Sequence, residues 1–310
     1  MKDSKFYFNQ CVTVFVFANN DSNSPWKKFA VSIGYDKMAN YDNVWVANGT
    51  NTNNNSIDLY FLGYADGLRL DEISALPGES ISDAYSEIGS FYGFGHQQAF
   101  LGYESYILEP DTNDDANTTY FSNLANGTFD QEYIYATRGY NGKITFNAAV
   151  QYEDNLFLGL NLNSHLLHYD RSTQLFEDNS NLGSIINNID FENTLSTIGT
   201  GFSFQLGGIL KVTNEFRLGL TYDSPTWYTM EEETTQYLYT NSDIDGPARV
   251  NPQIVNIYPS YRLQTPGKIT GSLAYVFGDK GLLSFDYSLK DYGSAKFKPT
   301  SDSFFEVQNR

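Results

Sequence analysis

The chain has 310 residues, a mass of 35.0 kDa, a formal net charge of −18 and a pI near 4.4. A surface this acidic lacks the basic footprint that nucleic-acid binding needs, and the single cysteine, Cys11, excludes an internal disulfide and a cysteine-based metal cage. Mean hydropathy is −0.41, and no apolar run approaches the roughly 18 residues of a membrane helix, which leaves open a membrane barrel built from short alternating strands.

In chain order, "MKDSKFYFNQCVTVFVFANN" comes first. Its early lysines and apolar run resemble a faint signal peptide, but the run is short and Thr-interrupted, with no small-residue cleavage site and no lipobox around Cys11. A strand over 5–18, with Cys11 as a small packed residue, is the better reading. After a turn at 19–26, residues 27–36 alternate, with Phe29, Val31, Ile33 and Tyr35 opposing Ala30, Ser32 and Gly34. The long segment 37–142 follows, read as a loop insertion with short helices. Within it, 56–78 and 82–110 carry helical spacing, with Ser82 as a candidate N-cap, a break near Gly93 and Gly95, and a stop at Pro110. Residues 111–119 are Asn/Asp-rich and read as exposed linker.

Alternation returns in 143–152 and 155–163 across the turn Glu153-Asp154, and in 198–212 and 215–223 across Thr213-Asn214. It appears last in 268–277 and 282–289 across Gly278-Asp279-Lys280-Gly281. About eight strands are visible in one domain spanning 1–310. Short turns join them in pairs, and the long segments 37–142, 164–197 and 224–266 lie between the pairs.

A soluble β-sandwich also alternates. Three features favour a barrel in a membrane. The non-greasy faces are small and uncharged, unlike the Lys- and Glu-rich faces of soluble strands. Tyr35, Tyr152, Phe216, Tyr222, Tyr275, Phe277 and Tyr287 gather near strand ends, as at a membrane interface. Several strands reach the roughly 9–11 residues that cross a bilayer. The expected fold is therefore all-β, an antiparallel transmembrane β-barrel with helical segments in long extracellular loops.

"FRLGLTYDSPTWY" (216–228) and "TPGKITGSLAYVFGDKGLLSFDYS" (265–288) resemble the FadL/TodX family of outer-membrane transporters, as do 24–43, 98–110 and 144–163. The resemblance implies a 14-stranded barrel plugged by an N-terminal hatch. Such a protein carries long-chain fatty acids or other hydrophobic molecules passively across the outer membrane of a Gram-negative bacterium. Its partners would be a fatty acid-like ligand and outer-membrane lipid, with the chain a monomer and without a cofactor. Against that pattern the chain shows no clear signal, no hatch motif and no closing C-terminal strands, so it reads as a fragment. The alternatives are a non-transporting structural or adhesive barrel and a soluble lipid-binding β protein.

No nucleotide fingerprint, P-loop or nucleophile motif is present, and no catalytic or metal residues are assigned. His165 and His168, the acidic groups Asp111, Asp114, Asp115 and Glu231 to Glu233, and the sequons at Asn48, Asn117 and Asn126 read as ordinary surface features. By the family resemblance, the ligand groove falls on Leu62, Tyr64, Phe91, Tyr92, Phe94, Phe100, Leu101 and Tyr103. Packing of those residues onto the rim is the equal alternative. Arg138, Arg171 and above all Arg217, which alternation points inward, are candidates to meet a ligand carboxylate.

Overall fold

The computed structural model describes residues 9–242 and 246–310. The first residues of the expected strand 5–18, and the early lysines of the leader-like stretch, lie outside them. Strands, in chain order, are β1 (Gln10–Ala18), β2 (Trp26–Asn40), β3 (Asn43–Asn51), β4 (Leu108–Pro110), β5 (Tyr120–Ser122), β6 (Phe129–Tyr152), β7 (Leu156–Asp178) and β8 (Ile186–Lys211). They continue with β9 (Phe216–Asp223), β10 (Trp227–Ser242), β11 (Gly246–Val250), β12 (Asn256–Ile257), β13 (Tyr261–Gln264), β14 (Lys268–Val276), β15 (Leu282–Lys290) and β16 (Lys296–Lys298). Helices are α1 (Asp58–Ala65), α2 (Ile81–Phe91), α3 (Phe94–Glu104) and α4 (Ser303–Gln308).

All strands but β4 and β5 form one antiparallel sheet of 14 segments, laid along the path β1-β2-β6-β7-β8-β10-β13-β16. Among the described residues β1 has no partner but β2, and β15 none but β14, so the sheet is open at both ends. The expected turns at 19–26, 153–154, 213–214 and 278–281 all form and lie at one end of the sheet. Cys11 is exposed on the edge strand rather than packed.

The long segments are less loop-like than their composition implies. Strands β6, β7 and β8 run 24, 23 and 26 residues. They reach well into the stretches 37–142 and 164–197, while 224–266 supplies β10 to β13. The helices expected within 37–142 are present. Ser80, not Ser82, caps α2, accepting from Asp83 N at 3.1 Å. Gly93, at φ +87°, turns the chain from α2 into α3.

The greasy residues occupy one face. In β14 they are exposed and the small residues between them partly covered. Leu158, Leu160, Leu162, Phe202, Leu206 and Leu220 continue this outer face across the neighbouring strands. The opposite face carries hydrogen-bonded polar rungs. One crosses five strands: Asn147 Nδ2 donates to Asn161 Oδ1 (2.6 Å), Asn161 Nδ2 to Gln205 Oε1 (2.7 Å) and Gln205 Nε2 to Asp223 Oδ1 (2.5 Å). Lys268 Nζ closes it on Asp223 at 3.1 Å.

Three neighbouring paths are interrupted at one level, at 224–226 between β9 and β10, at 265–267 between β13 and β14, and at 291–295 between β15 and β16. Against the unbroken β8, Tyr222 pairs Leu206 and Trp227 pairs Phe202, so β9–β10 carries one extra residue there, a bulge. Pro225 can donate no ladder bond. Ser224 fills the gap: its N–H donates to Phe204 O and its Oγ accepts from Phe204 N, both at 2.9 Å. A Cβ added to Gly267 would stand 3.0 Å from Asp223 O, so the adjacent interruption packs directly against this one.

Ser224→Ala leaves the Phe204 N–H unsatisfied and is expected to cost about 1–3 kcal/mol. Ser301→Ala, in an exposed turn, is expected to cost less than about 0.5 kcal/mol. Urea unfolding of the refolded protein compares them, and equal midpoints would contradict this account of the bulge.

Candidate functional site

Helices α1 to α3 and the short β4–β5 ribbon form a cap on the polar-rung face, at the end of the sheet away from the turns. There the wall residues change character. Phe129, Ile189, Phe191 and Leu238 are buried, and they pack with Phe61, Tyr85, Phe100, Leu101, Ile107 and Leu108 of the cap in one hydrophobic cluster.

Polar latches surround this cluster. Gln98 and Gln236 exchange two hydrogen bonds, at 2.7 and 2.9 Å. Tyr85 Oη donates to Gln236 Oε1 (2.8 Å), Tyr60 Oη to Gln98 Oε1 (3.0 Å) and Gln236 Nε2 to Asn193 Oδ1 (2.5 Å). Burial pushes the Tyr85 phenol up to about 12 and raises Tyr60 further, so both stay protonated donors. Ser82 Oγ donates to Pro252 O at 2.5 Å, and Thr240 Oγ1 to Ser105 O at 2.7 Å.

Glu177, near the end of β7, holds the start of α1. Its carboxylate accepts from Ser56 Oγ, from Ile57 N at 3.3 Å and from Gln131 Nε2 at 2.6 Å. Burial raises its pKa above the ordinary glutamate value, against the lowering effect of those bonds. Glu104, bonded to Ala75 N at 3.0 Å, is raised by burial in the same way.

Between cap and wall lies a cavity of about 400 Å³. Ile57, Tyr60 and Phe94 line it from the cap, with Tyr133, Arg171, Leu175, Phe191 and Gln236 from the wall. The Arg171 Nε is buried and has no hydrogen-bond partner. Apolar and aromatic lining with one unpaired cationic donor suits a molecule with an apolar body and an anionic end.

The residues proposed for a groove separate into four environments. Phe100 and Leu101 are fully buried in the cap core. Leu62, Tyr64 and Tyr103 pack against that core, and Tyr64 meets Phe94 edge-on at 6.0 Å. Phe91 (80% exposed) and Tyr92 (49%) form a bare tip at the α2–α3 turn, where Tyr92 stacks on His96. Of the eight, only Phe94 lines the cavity. Arg217 does lie on the polar-rung face, and its Nε is likewise buried and unpaired. It sits beside Lys211 at the turn end, however, far along the sheet from the cap. Arg138 takes the outer face, opposite Asp170.

His165 and His168 do not act together. His165 is buried against Ser203 Oγ at 2.8 Å, whereas His168 faces outward and pairs with Asp170 at 2.9 Å. Among the described residues no cluster of three or more His, Cys, Asp or Glu side chains could hold a metal. Arg171 was among the three candidate arginines, whereas Tyr60, Gln98, Glu177 and Gln236 escaped the selection of site residues. The one local signal was "HQQAF", two glutamines inside an otherwise apolar helical run. No protein-family model, curated protein or solved structure matches the chain.

A buried glutamate with a raised pKa gives the fold stability that is fully present below the ordinary value of 4.5 and is lost as pH rises through the raised value. Glu177→Gln removes that contribution and leaves the Glu104 contribution in place. In thermal melts from acidic to neutral pH, the wild type is expected to lose stability relative to Glu177→Gln once the pH passes the ordinary glutamate range. A constant offset between the two curves would count against the burial of this carboxylate.

Proposed function

We propose that the sheet is the wall of an outer-membrane β-barrel of the FadL type, and that the chain passes long-chain fatty acids or other hydrophobic small molecules without an energy source of its own. The observation that carries this reading is the cavity beneath the cap, with the unpaired Arg171 guanidinium among Tyr60, Phe94, Leu175 and Phe191. A carboxylate there would satisfy a donor that burial leaves without a partner. An alkyl chain would gain about 25 cal/mol per Å² buried against the aromatic lining.

The outer face supports a lipid-facing wall. Its greasy series runs through Leu156 to Leu166 on β7, broken only by Ser164, then gives way to His168 and Asp170. On β8 it runs from Leu210 to Ile198, broken by Gly208 and Thr200, and gives way to Ser196. Each series covers the roughly 9–11 residues of a crossing strand. Near the turn end, Trp26 meets Tyr152 edge-on at 5.0 Å, and Tyr275 lies 4.8 Å from Phe277, as in an interfacial aromatic band. The cap then stands at the extracellular mouth and the turns at the periplasmic side. No enzymatic step is proposed. The bare Phe91–Tyr92 tip is the observation that favours the second reading, an adhesive barrel whose loops bind a partner.

Arg171→Gln is expected to weaken binding of a long-chain fatty acid roughly 10- to 100-fold, from the 1.5–3 kcal/mol of a charge-assisted hydrogen bond. Binding of the matching fatty alcohol should hardly change. Tryptophan or tyrosine fluorescence titration in detergent reads both. Equal loss for acid and alcohol would remove Arg171 from the headgroup site, and wild-type protein that binds neither would favour the adhesive reading.

Phe285 lies on the outer face of β15, exposed and opposite Leu273. Phe285→Leu is expected to assemble normally in lipid vesicles, whereas Phe285→Arg should impair assembly, by up to about 2–4 kcal/mol at the bilayer midplane. Heat-modifiable migration after refolding compares them, and equal assembly would place Phe285 away from lipid.

A further inference from the structure

The greasy outer series of the last two paths ends abruptly in cations. Along β14 the outer residues are Tyr275, Leu273, Gly271 and Ile269, and beyond the interruption at 265–267 come Gln264 and Arg262. Along β15 they are Leu283, Phe285, Tyr287 and Leu289, followed beyond 291–295 by Lys296 and Lys298. The register pairs Arg262 with Lys298 and Gln264 with Lys296, which sets three cations and one amide on a single two-strand patch.

Their pairing is sparse. Lys298 Nζ donates to Gln264 Oε1 at 2.9 Å and Lys296 Nζ to Asn309 O at 3.2 Å. The Arg262 side chain makes no hydrogen bond or ion pair among the described residues, and none of the three has a carboxylate within ion-pair distance there. The acidic residues of this face, Glu231 and Glu233, belong to β10, one strand over and further toward the cap end. Elsewhere on the outer face, the cation Arg138 stands opposite an acid, Asp170.

The opposite face of the patch is backed. Phe305 of α4 stacks on Phe297 at 5.6 Å and lies 5.5 Å from Tyr261. The Asn309 side chain pairs both ways with the Phe297 backbone, accepting from its N–H at 2.7 Å and donating to its carbonyl at 2.9 Å. The cations are thus held on a braced edge. Like charges opposite one another on a sheet repel, so an anion from outside the chain would stabilise the patch.

We infer that Arg262, Lys296 and Lys298 dock the phosphate groups of anionic membrane lipid at the cap-side margin of the greasy belt. This rests on the lipid-facing reading of that belt. Headgroup phosphates lie just beyond the hydrocarbon, where these three side chains stand. Arginine meets a phosphate with two parallel bonds and lysine with a point charge. Each basic residue at an anionic surface contributes about 1 kcal/mol.

The test uses the full chain refolded into phosphatidylcholine vesicles that carry a trace of spin-labelled phosphatidylglycerol or spin-labelled phosphatidylcholine. The expected result is a several-fold excess of immobilised phosphatidylglycerol over phosphatidylcholine. The combined variant Arg262→Gln, Lys296→Gln and Lys298→Gln should abolish that excess, and Arg262→Gln alone should reduce it. Lys27→Gln with Lys28→Gln, at the turn end, should leave it intact. An excess that survives the triple variant, or a wild type that immobilises both lipids equally, overturns the headgroup site while the belt stands. A wild type that immobilises neither lipid overturns the belt and the headgroup site together.

Discussion

The rest of the structure depends on the unbroken hydrogen-bond ladder of β6, β7 and β8. Their backbones pair residue for residue over more than twenty positions, Tyr152 with Leu156 at one end and Asp130 with Asp178 at the other. A ladder this long could slip by one residue without losing many backbone bonds. Two sets of side chains forbid the slip. Leu158, Leu160 and Leu162 would turn inward, and Asn147, Asn161 and Gln205 would turn out of the rung they now share. The polar rungs therefore specify register as much as they add energy, and the cap inherits a wall whose inner residues stand at fixed heights.

The interruptions work against that rigid centre. Beside β8 the neighbouring path carries one residue too many, and the next two paths break at the same level. The bulge restores the outward phase, so that Tyr222 below it and Trp227 above it share the outer face. Without the phase change, the greasy series of β9 would lead into inward residues of β10, and Gln236 and Leu238 would face away from the cap. The position of the candidate cavity thus depends on Ser224-Pro225-Thr226, although none of those residues touches it.

How much of this could be read from sequence follows from the same geometry. The turn-end halves of the strands were legible because one face is aliphatic and the other small and polar, which gives clean alternation. The cap-end halves were not. In "RSTQLFEDNS" and "EEETTQYLYTNS" most outer residues are polar, Phe176, Tyr237 and Tyr239 apart, so no clean period survives, and both stretches read as loop although β7 and β10 run through them. The cap helices were found from spacing, but their faces could not be separated. Phe94, Phe100 and Leu101 look alike in sequence, and only the docking of α3 decides that the first meets a cavity and the others a core. Both Arg217 and Arg171 lie on the inner face, although alternation pointed only Arg217 inward. Which of them stands under the cap depends on distance along the wall, which needs the strand lengths that composition hid.

The cap is joined to the wall by two kinds of contact with different consequences. The hydrophobic cluster around Phe61, Phe100, Phe191 and Leu238 loses stabilisation in proportion to the area exposed, so it resists large displacement. The bonds made by Glu177, Ser82 and Thr240 are directional; those of Glu177 and Thr240 are buried, so breaking them leaves polar groups that water does not reach. The cavity lies where these two kinds of contact meet, with Phe191 on one side and the Gln98–Gln236 pair on the other. Displacing α1 and α3 would break the buried bonds of Glu177, of Thr240 and of the Gln98–Gln236 pair together, so the polar contacts fix the position of the cap that the cluster holds down.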